Sequence, residues 1–358
     1  MKVRKIVFIH NLNNFSGSPK VLLTIIKSLS AKYDIDLISS NGNGFLSDIE
    51  GVNYINNYYK WSDNKKITSF RFFISQIIVF FKVLLYKKSN TLFYINTIMP
   101  ASAALACRIG RKNMIYHVHE NMHRGSLLYS FLKLFYQLCN TKTIFVSKYL
   151  QQQTQGVKSS CVIYNCLDKD FIESRDNYFS SDCSAAAESI LFVSSLKSFK
   201  GVDEFVVLAQ KLPEYRFEMV LSATVEEINQ YFASVCIPLN LKIFPLQKNL
   251  HSFYQRARIL LQLSHPNKWV ETFGLTILEA MSYAVPCIVP NVGGPLELVD
   301  NGINGYVVNP LDIDTVILQI NSLMSNDAKH KKFSEESLLK SAQFDLNLMT
   351  KQIEQYIL

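Results

Sequence analysis

The sequence predicts an α/β protein made of two doubly wound, Rossmann-like domains, each a parallel sheet with helices on both faces. Three observations carry this. Short apolar runs suited to buried strands alternate with stretches of helical periodicity along most of the chain. A polar segment near the middle interrupts the alternation. The length of 358 residues, 48% of them hydrophobic with only 13 Gly and 10 Pro, suits two domains better than one and excludes a disordered or collagen-like chain.

Taken in order, Lys5–His10 reads as a strand, Lys20–Ala31 as a helix and Tyr33–Ser39 as the next strand, a βαβ unit. Leu92–Ile95, Met114–Val118, Thr143–Val146 and Cys161–Tyr164 continue the strands, with helices near 100–109, 126–139 and 147–154. Residues 173–189 lose periodicity and gather Ser, Asp and Asn, as a linker does. Strands then resume at Ile190–Ser194, Phe217–Leu221, Leu241–Phe244, Ile259–Leu263, Cys287–Val289 and Tyr306–Val308, with helices near 201–211, 225–234, 249–256, 274–283 and 312–324. The tail, 329–358, reads as helix. The expected domains are 1–172 and 173–342. Neither carries the G-x-G-x-x-G dinucleotide fingerprint, and no internal repeat is visible.

Seven cysteines, an odd number without a C-x-x-C pair, argue against a disulfide framework and suit a reducing, cytoplasmic location. The opening apolar run is too short for a signal peptide core, and Phe72–Phe81, bounded by Arg71 and Lys82, is too short to span a bilayer. Charge divides unevenly. Residues 1–170 hold 22 Lys+Arg against 8 Asp+Glu, whereas 171–358 hold 15 against 21. A net +14 attracts nucleic acid, anionic lipid or a phosphorylated substrate, and the sign alone does not choose. The segment 65–88, aromatic and aliphatic with basic ends, has two readings: a helix lying on an anionic membrane surface, or a helix packed in the first domain's core.

The densest cluster of candidate chemistry is Glu271-Thr-Phe-Gly-Leu-Thr-Ile-Leu-Glu279. It follows a strand and opens a helix, where unpaired N–H groups attract phosphate and Gly274 admits close approach. A carboxylate at such a mouth does not favour an anion, so Glu271 would accept from neutral hydroxyls beside the phosphate, and Glu279 from another diol two turns on. The alternative is a helix cap at Glu271 and a solvated face at Glu279. His117, His119 and His123 fall within seven residues, but their spacing fits neither a helical face nor the usual zinc motifs, so no metal site is expected.

The run ETFGLTILEAMSYAVPCIVPNVGGPLELVDNGINGYVVNPLD closely resembles the carboxy-terminal signature of the family-4 retaining glycosyltransferases of GT-B fold. Weaker echoes follow in order: the loop with Gly17 and Ser18, His119-Glu120, FVSKYL at 145–150, VIYNCLD at 162–168 and KGVDEF at 200–205. The resemblance implies two domains facing across a cleft, a last helix near 343–358 returning to the first domain, and sugar transfer from a nucleoside-diphosphate sugar to a glycan or polyprenyl-linked acceptor. It implies that Glu271 meets sugar hydroxyls and Glu279 the ribose, and that Phe273, Gly274 and Leu275 offer backbone N–H groups. Lys200 would neutralise the diphosphate and His119 would face the reaction centre, with Glu120 helping to orient it. No cofactor or metal is implied, no nucleic acid partner, and peripheral attachment at the inner face of the cytoplasmic membrane fits the basic half.

One departure matters. Where the family carries an arginine in Gly-Arg-Leu, this chain has Ser194-Ser195-Leu196, so Lys197 or another cation must compensate at the donor site, or donor binding weakens. Two further readings stay open on that ground: a non-catalytic glycosyltransferase-like binding subunit, and a sugar-nucleotide epimerase or hydrolase of the same fold.

Overall fold

The computed structural model describes residues 3–87, 89–121, 127–180 and 188–357. The chain divides into two units, 1–166 with 346–358 and 167–345, so the division falls at 166/167 rather than the expected 172/173. His123 and Lys88 lie outside the described residues, as does much of the expected linker.

The first unit runs β1 (Lys5–Ile9), α1 (Gly17–Leu29), β2 (Asp34–Ser39), β3 (Val52–Asn56), α2 (Lys65–Leu85), β4 (Thr91–Asn96), α3 (Ala101–Ile109), β5 (Asn113–Val118), α4 (Leu127–Cys139), β6 (Lys142–Phe145), α5 (Lys148–Gln153) and β7 (Ser160–Val162). All strands pair parallel in the order β3-β2-β1-β4-β5-β6-β7. The central strands read as unbroken apolar runs because helices cover both their faces. The strand order reverses between β1 and β4, where doubly wound sheets open a crevice at their carboxyl ends.

The second unit runs α6 (Lys169–Ser180), β8 (Ser189–Ser194), a 3-10 turn (Ser198–Lys200), α7 (Val202–Lys211), β9 (Arg216–Leu221), α8 (Val225–Tyr231), β10 (Leu241–Phe244), α9 (His251–Arg256), β11 (Ala257–Leu261), α10 (Leu275–Met281), β12 (Cys287–Pro290), α11 (Pro295–Leu298), β13 (Gly305–Val308), α12 (Ile313–Met324) and α13 (Asp327–Ser341). Its sheet, β10-β9-β8-β11-β12-β13, reverses between β8 and β11. Its core centres on Phe192, Phe205, Phe217, Leu261 and Ile288. The reading of 173–189 as linker is corrected by α6, a polar helix: Phe171 is buried against His251 at 4.5 Å, and Tyr178 stacks on the same ring at 5.4 Å. The helical tail breaks at Ala342–Asp345. The last helix, α14 (Leu346–Ile357), returns to the first unit, where Lys32 pairs with Glu354 at 2.8 Å and Lys142 Nζ donates to the Tyr356 carbonyl at 3.0 Å.

Helix α2 contradicts the core-packing reading of 65–88. Only Ser75, Val79 and Val83 of it are buried. Ile67, Phe70, Phe73, Ile74, Ile77, Phe81 and Leu85 are all exposed, Phe70 and Phe73 by 67% and 63%, and most recur at three- and four-residue spacing. On α4, Leu128, Phe131, Leu134 and Leu138 repeat the pattern. Both helices pack against α3. By length and composition α2 could cross a bilayer, with a mean hydropathy of 1.7, but it joins β3 and β4 of one sheet and is therefore a crossover helix of the first unit.

Candidate functional site

In the second unit the loops leaving β8 and β11 meet at the switch point. Gly201 adopts φ 90°, and a Cβ there would lie 2.3 Å from the Cβ of Leu263, so only glycine brings the β8 loop this close. The two segments are also tied by the His265 N–H donating to the Phe199 carbonyl at 2.9 Å and by His265 Nε2 pairing with Glu204 Oε1 at 2.8 Å. Lys200 Nζ consequently reaches Glu271 Oε2 at 2.8 Å, in a pair whose side chains are 13% and 24% exposed. The ammonium also lies 4.7 Å from the centre of the Trp269 ring, which stacks on Phe199 at 5.3 Å and 15°. Adjacent glycines hold Glu271 from behind. The Gly294 N–H donates to its carbonyl at 2.9 Å, and Cβ atoms at Gly293 and Gly294 would fall 2.3 Å and 2.2 Å from the carbonyls of Glu271 and Thr272.

Gly274, at φ 106°, turns the chain into α10, whose first intrahelical bonds run from Ile277 and Leu278 to the Gly274 carbonyl. The N–H groups of Leu275 and Thr276 thus precede the helical ladder, and Phe273 is buried just before them. Glu279 departs from the solvated-face alternative. It is 3% exposed, and its Oε2 accepts the hydroxyl of the fully buried Tyr254 at 2.6 Å. Lys197 is tied to the pair through the backbone, its carbonyl accepting the Lys200 N–H at 2.9 Å, while the Lys200 side chain turns to Glu271. Ser195 and Lys197 line a shallow pocket of about 290 Å³ with Ser222, Ala223, Glu227 and Tyr231. Ser222 is tied to the end of β8, its N–H donating to the Ser194 carbonyl at 2.8 Å.

In the first unit, the carboxyl ends of β1, β4 and β5 bring together three residues far apart in sequence. Asn96 Nδ2 lies 3.0 Å from His10 Nδ1 and donates to the Ser18 carbonyl at 3.3 Å, while Asn96 Oδ1 lies 2.9 Å from His119 Nε2. His117 lies beside His119, the rings tilted and their centres 4.2 Å apart, and bonds through Nδ1 to the Tyr94 hydroxyl at 2.9 Å. Burial pushes His10 down to about 4 and His117 down to about 3. Burial, reinforced by His117 and His10, holds His119 well below the usual histidine range. All three rings are neutral at physiological pH. Gly17 opens α1 beside this network. The Glu120 carboxylate accepts the Ile98 N–H at 3.4 Å. Among the described residues, no group of three or more His, Cys, Asp or Glu side chains is arranged to hold a metal ion.

Of the residues singled out by sequence, Lys200 and Glu271 are brought together, with Phe273, Gly274 and Leu275 following in the same loop and helix start. His10, Asn96, Trp269, Gly293 and Gly294 went unassigned. The paired glycines before Pro295 and the tryptophan beside the signature were visible signals, whereas His10 and Asn96 become neighbours only once the strand order is known.

Two parallel doubly wound sheets, each reversing at a switch point, have the GT-B fold, and the sequence matches of the chain are to glycosyltransferases. Residues 179–339, nearly all of the second unit, match the family model described as Glycosyl transferases group 1. Among curated proteins the chain is 22% identical to an uncharacterized glycosyltransferase of Haemophilus influenzae over 95% of both chains. It is 29% identical to the poly(glycerol-phosphate) alpha-glucosyltransferase of Bacillus subtilis over 41% of this chain and 22% of that one. Among solved structures, Anabaena Alr3699/HepE in complex with UDP and glucose superposes with a TM-score of 0.79 at 20% identity, over 98% of each chain.

Proposed function

We propose that the protein is a retaining glycosyltransferase that moves a sugar from a nucleoside-diphosphate sugar to a hydroxyl of a lipid-linked surface glycan. The observation that carries this is the Lys200–Glu271 pair at the mouth of α10. One proton of the lysine is committed to Glu271, and the other two remain for a diphosphate. The carboxylate offers further lone pairs to sugar hydroxyls, and the Leu275 and Thr276 N–H groups add donors for the phosphate. The bond from the anomeric carbon to the diphosphate oxygen breaks as the acceptor oxygen bonds on the same face. The acceptor proton passes to the departing diphosphate oxygen. Catalysis is then positioning and charge stabilisation, without a dedicated base. The pocket beside Ser195 and Lys197 suits the nucleoside portion.

The relatives support the choice of substrates: one is named for glucosyl transfer to poly(glycerol-phosphate), and one solved structure holds UDP and glucose. A cytoplasmic protein attached peripherally to an anionic membrane fits the exposed apolar rows of α2 and α4 and the basic first half. The test is nucleoside diphosphate release from a panel of sugar nucleotides with polyprenyl-linked glycan, with and without EDTA. Acceptor-dependent release that survives chelation and yields a product of unchanged anomeric configuration supports the reading. Release without acceptor would favour a hydrolase, and binding without release the non-catalytic subunit.

A further inference from the structure

We infer that Asn96 is a positioning residue that locks His119 in a single tautomer, with the proton on Nε2 and the lone pair on Nδ1. This rests on the reading of His119 as a group at the transfer site. The backbone carbonyl of Ser18 can only accept a hydrogen bond. Because that carbonyl lies 3.3 Å from the Asn96 amide, the NH2 of the amide must face it, and a flipped amide would set two acceptors against one another. The second amide hydrogen then points to His10 Nδ1 at 3.0 Å, which must be unprotonated to accept it. Both hydrogens are spent. The amide oxygen is left facing His119 Nε2 at 2.9 Å, and the contact is a hydrogen bond only if Nε2 bears the proton.

The ring stays neutral through its burial and its histidine neighbours, so its single proton sits at Nε2 and Nδ1 is an acceptor. On that reading of His119, an acceptor at that position suits a hydroxyl group. It cannot serve as a proton donor to a departing diphosphate. The residue is fixed in turn: Asn96 is completely buried, ends β4 between β1 and β5, and is anchored to the first turn of α1 through Ser18. The first turn of α1 at Gly17 and Ser18 thereby takes on a role apart from any contact with a ligand, since it orients the amide that orients the histidine.

The direct test is long-range 1H–15N spectroscopy of the full chain with labelled histidine, assigned by His119→Gln. The expected spectrum shows His119 neutral with Nε2 protonated across pH 6–8. Nδ1 protonation in that range overturns the assignment, whatever the protein's activity. Asn96→Leu, judged folded by its unfolding midpoint, should release the ring to a mixture of tautomers, and an unchanged tautomer would contradict a positioning role. Kinetics then separate action through His119 from a general structural effect. Asn96→Leu should lower turnover about tenfold or more in the otherwise wild-type chain, yet less than about twofold in a His119→Ala background, because residues that act through one another are non-additive. Equal losses in both backgrounds would sink the inference. Should no transferase activity be found with any donor, the spectrum still decides the tautomer, and the failure belongs to the proposed function.

Discussion

Replacing Glu271 by Gln keeps the shape of the side chain, removes its charge and should separate sugar binding from nucleotide binding. In the wild type the carboxylate lies 2.8 Å from Lys200 Nζ in a partly enclosed pair. At an effective dielectric of about 20 their gross attraction is about 6 kcal/mol, most of it offset by desolvation, so the net loss of stability should be about 1–2 kcal/mol. The fold survives that. A hydrogen bond from a sugar hydroxyl to the charged carboxylate contributes about 1.5–3 kcal/mol, so the nucleotide sugar should bind ten- to a hundredfold more weakly. Nucleoside diphosphate alone should bind as well as before or more tightly, because the variant frees the Lys200 ammonium from its carboxylate partner. Isothermal titration of the variant with UDP and with UDP-glucose reads both quantities. If the two ligands weaken equally, Glu271 acts by holding the loop, and the assignment to sugar hydroxyls is wrong.

Ser195→Arg should tighten nucleoside diphosphate binding severalfold by adding a cation to the pocket that Ser195 and Lys197 line, and weaker binding would mean that the pocket has no room or another role. Acid should destabilise the first unit: the folded forms of His10 and His117 resist protonation down to about 4 and about 3, whereas the unfolded chain takes up those protons near 6.5. Stability is therefore full above that value and falls as pH drops from about 6.5 toward 3, by about 3 kcal/mol from His10 alone, and a stability flat over that window in urea titrations would contradict the buried neutral network. Phe70→Ser with Phe73→Ser and Phe81→Ser should abolish sedimentation with anionic vesicles, each ring contributing about 1.5 kcal/mol, and Lys65→Glu with Lys66→Glu should weaken it in a salt-dependent way. Binding unchanged by both sets would remove the membrane from the account. Lys82 is a poorer target, since its Nζ donates to the Asn56 carbonyl at 2.6 Å and lies over Tyr58.

The strands were legible wherever burial on both faces produced an unbroken apolar run, as in β1, β4 and β8. Edge strand β3, V-N-Y-I-N, escaped because two of its side chains are exposed and its polar residues mask the pattern. Helix α6 escaped for the opposite reason to α2: it is so polar that it resembles a linker, whereas α2 is so apolar that burial was a natural reading, and only the structure shows its aromatic side chains facing outward. Within the site, the signature around Glu271 was legible because it is local. Lys200, 71 residues away, was reached only through the family resemblance. The His10–Asn96–His119 network spans three neighbouring strands whose order cannot be read from the sequence, so Asn96, which meets His119 only in space, was out of its reach.

The central claim is that a nucleotide sugar binds at Lys200 and Glu271. Thermal unfolding of the wild type and of Lys200→Ala across UDP, GDP, ADP and their sugars tests it most directly. The account predicts that one nucleotide series raises the wild-type midpoint by several degrees and that Lys200→Ala loses most of that shift while remaining folded. Stabilisation equal in both proteins, or by none of the ligands, would contradict it.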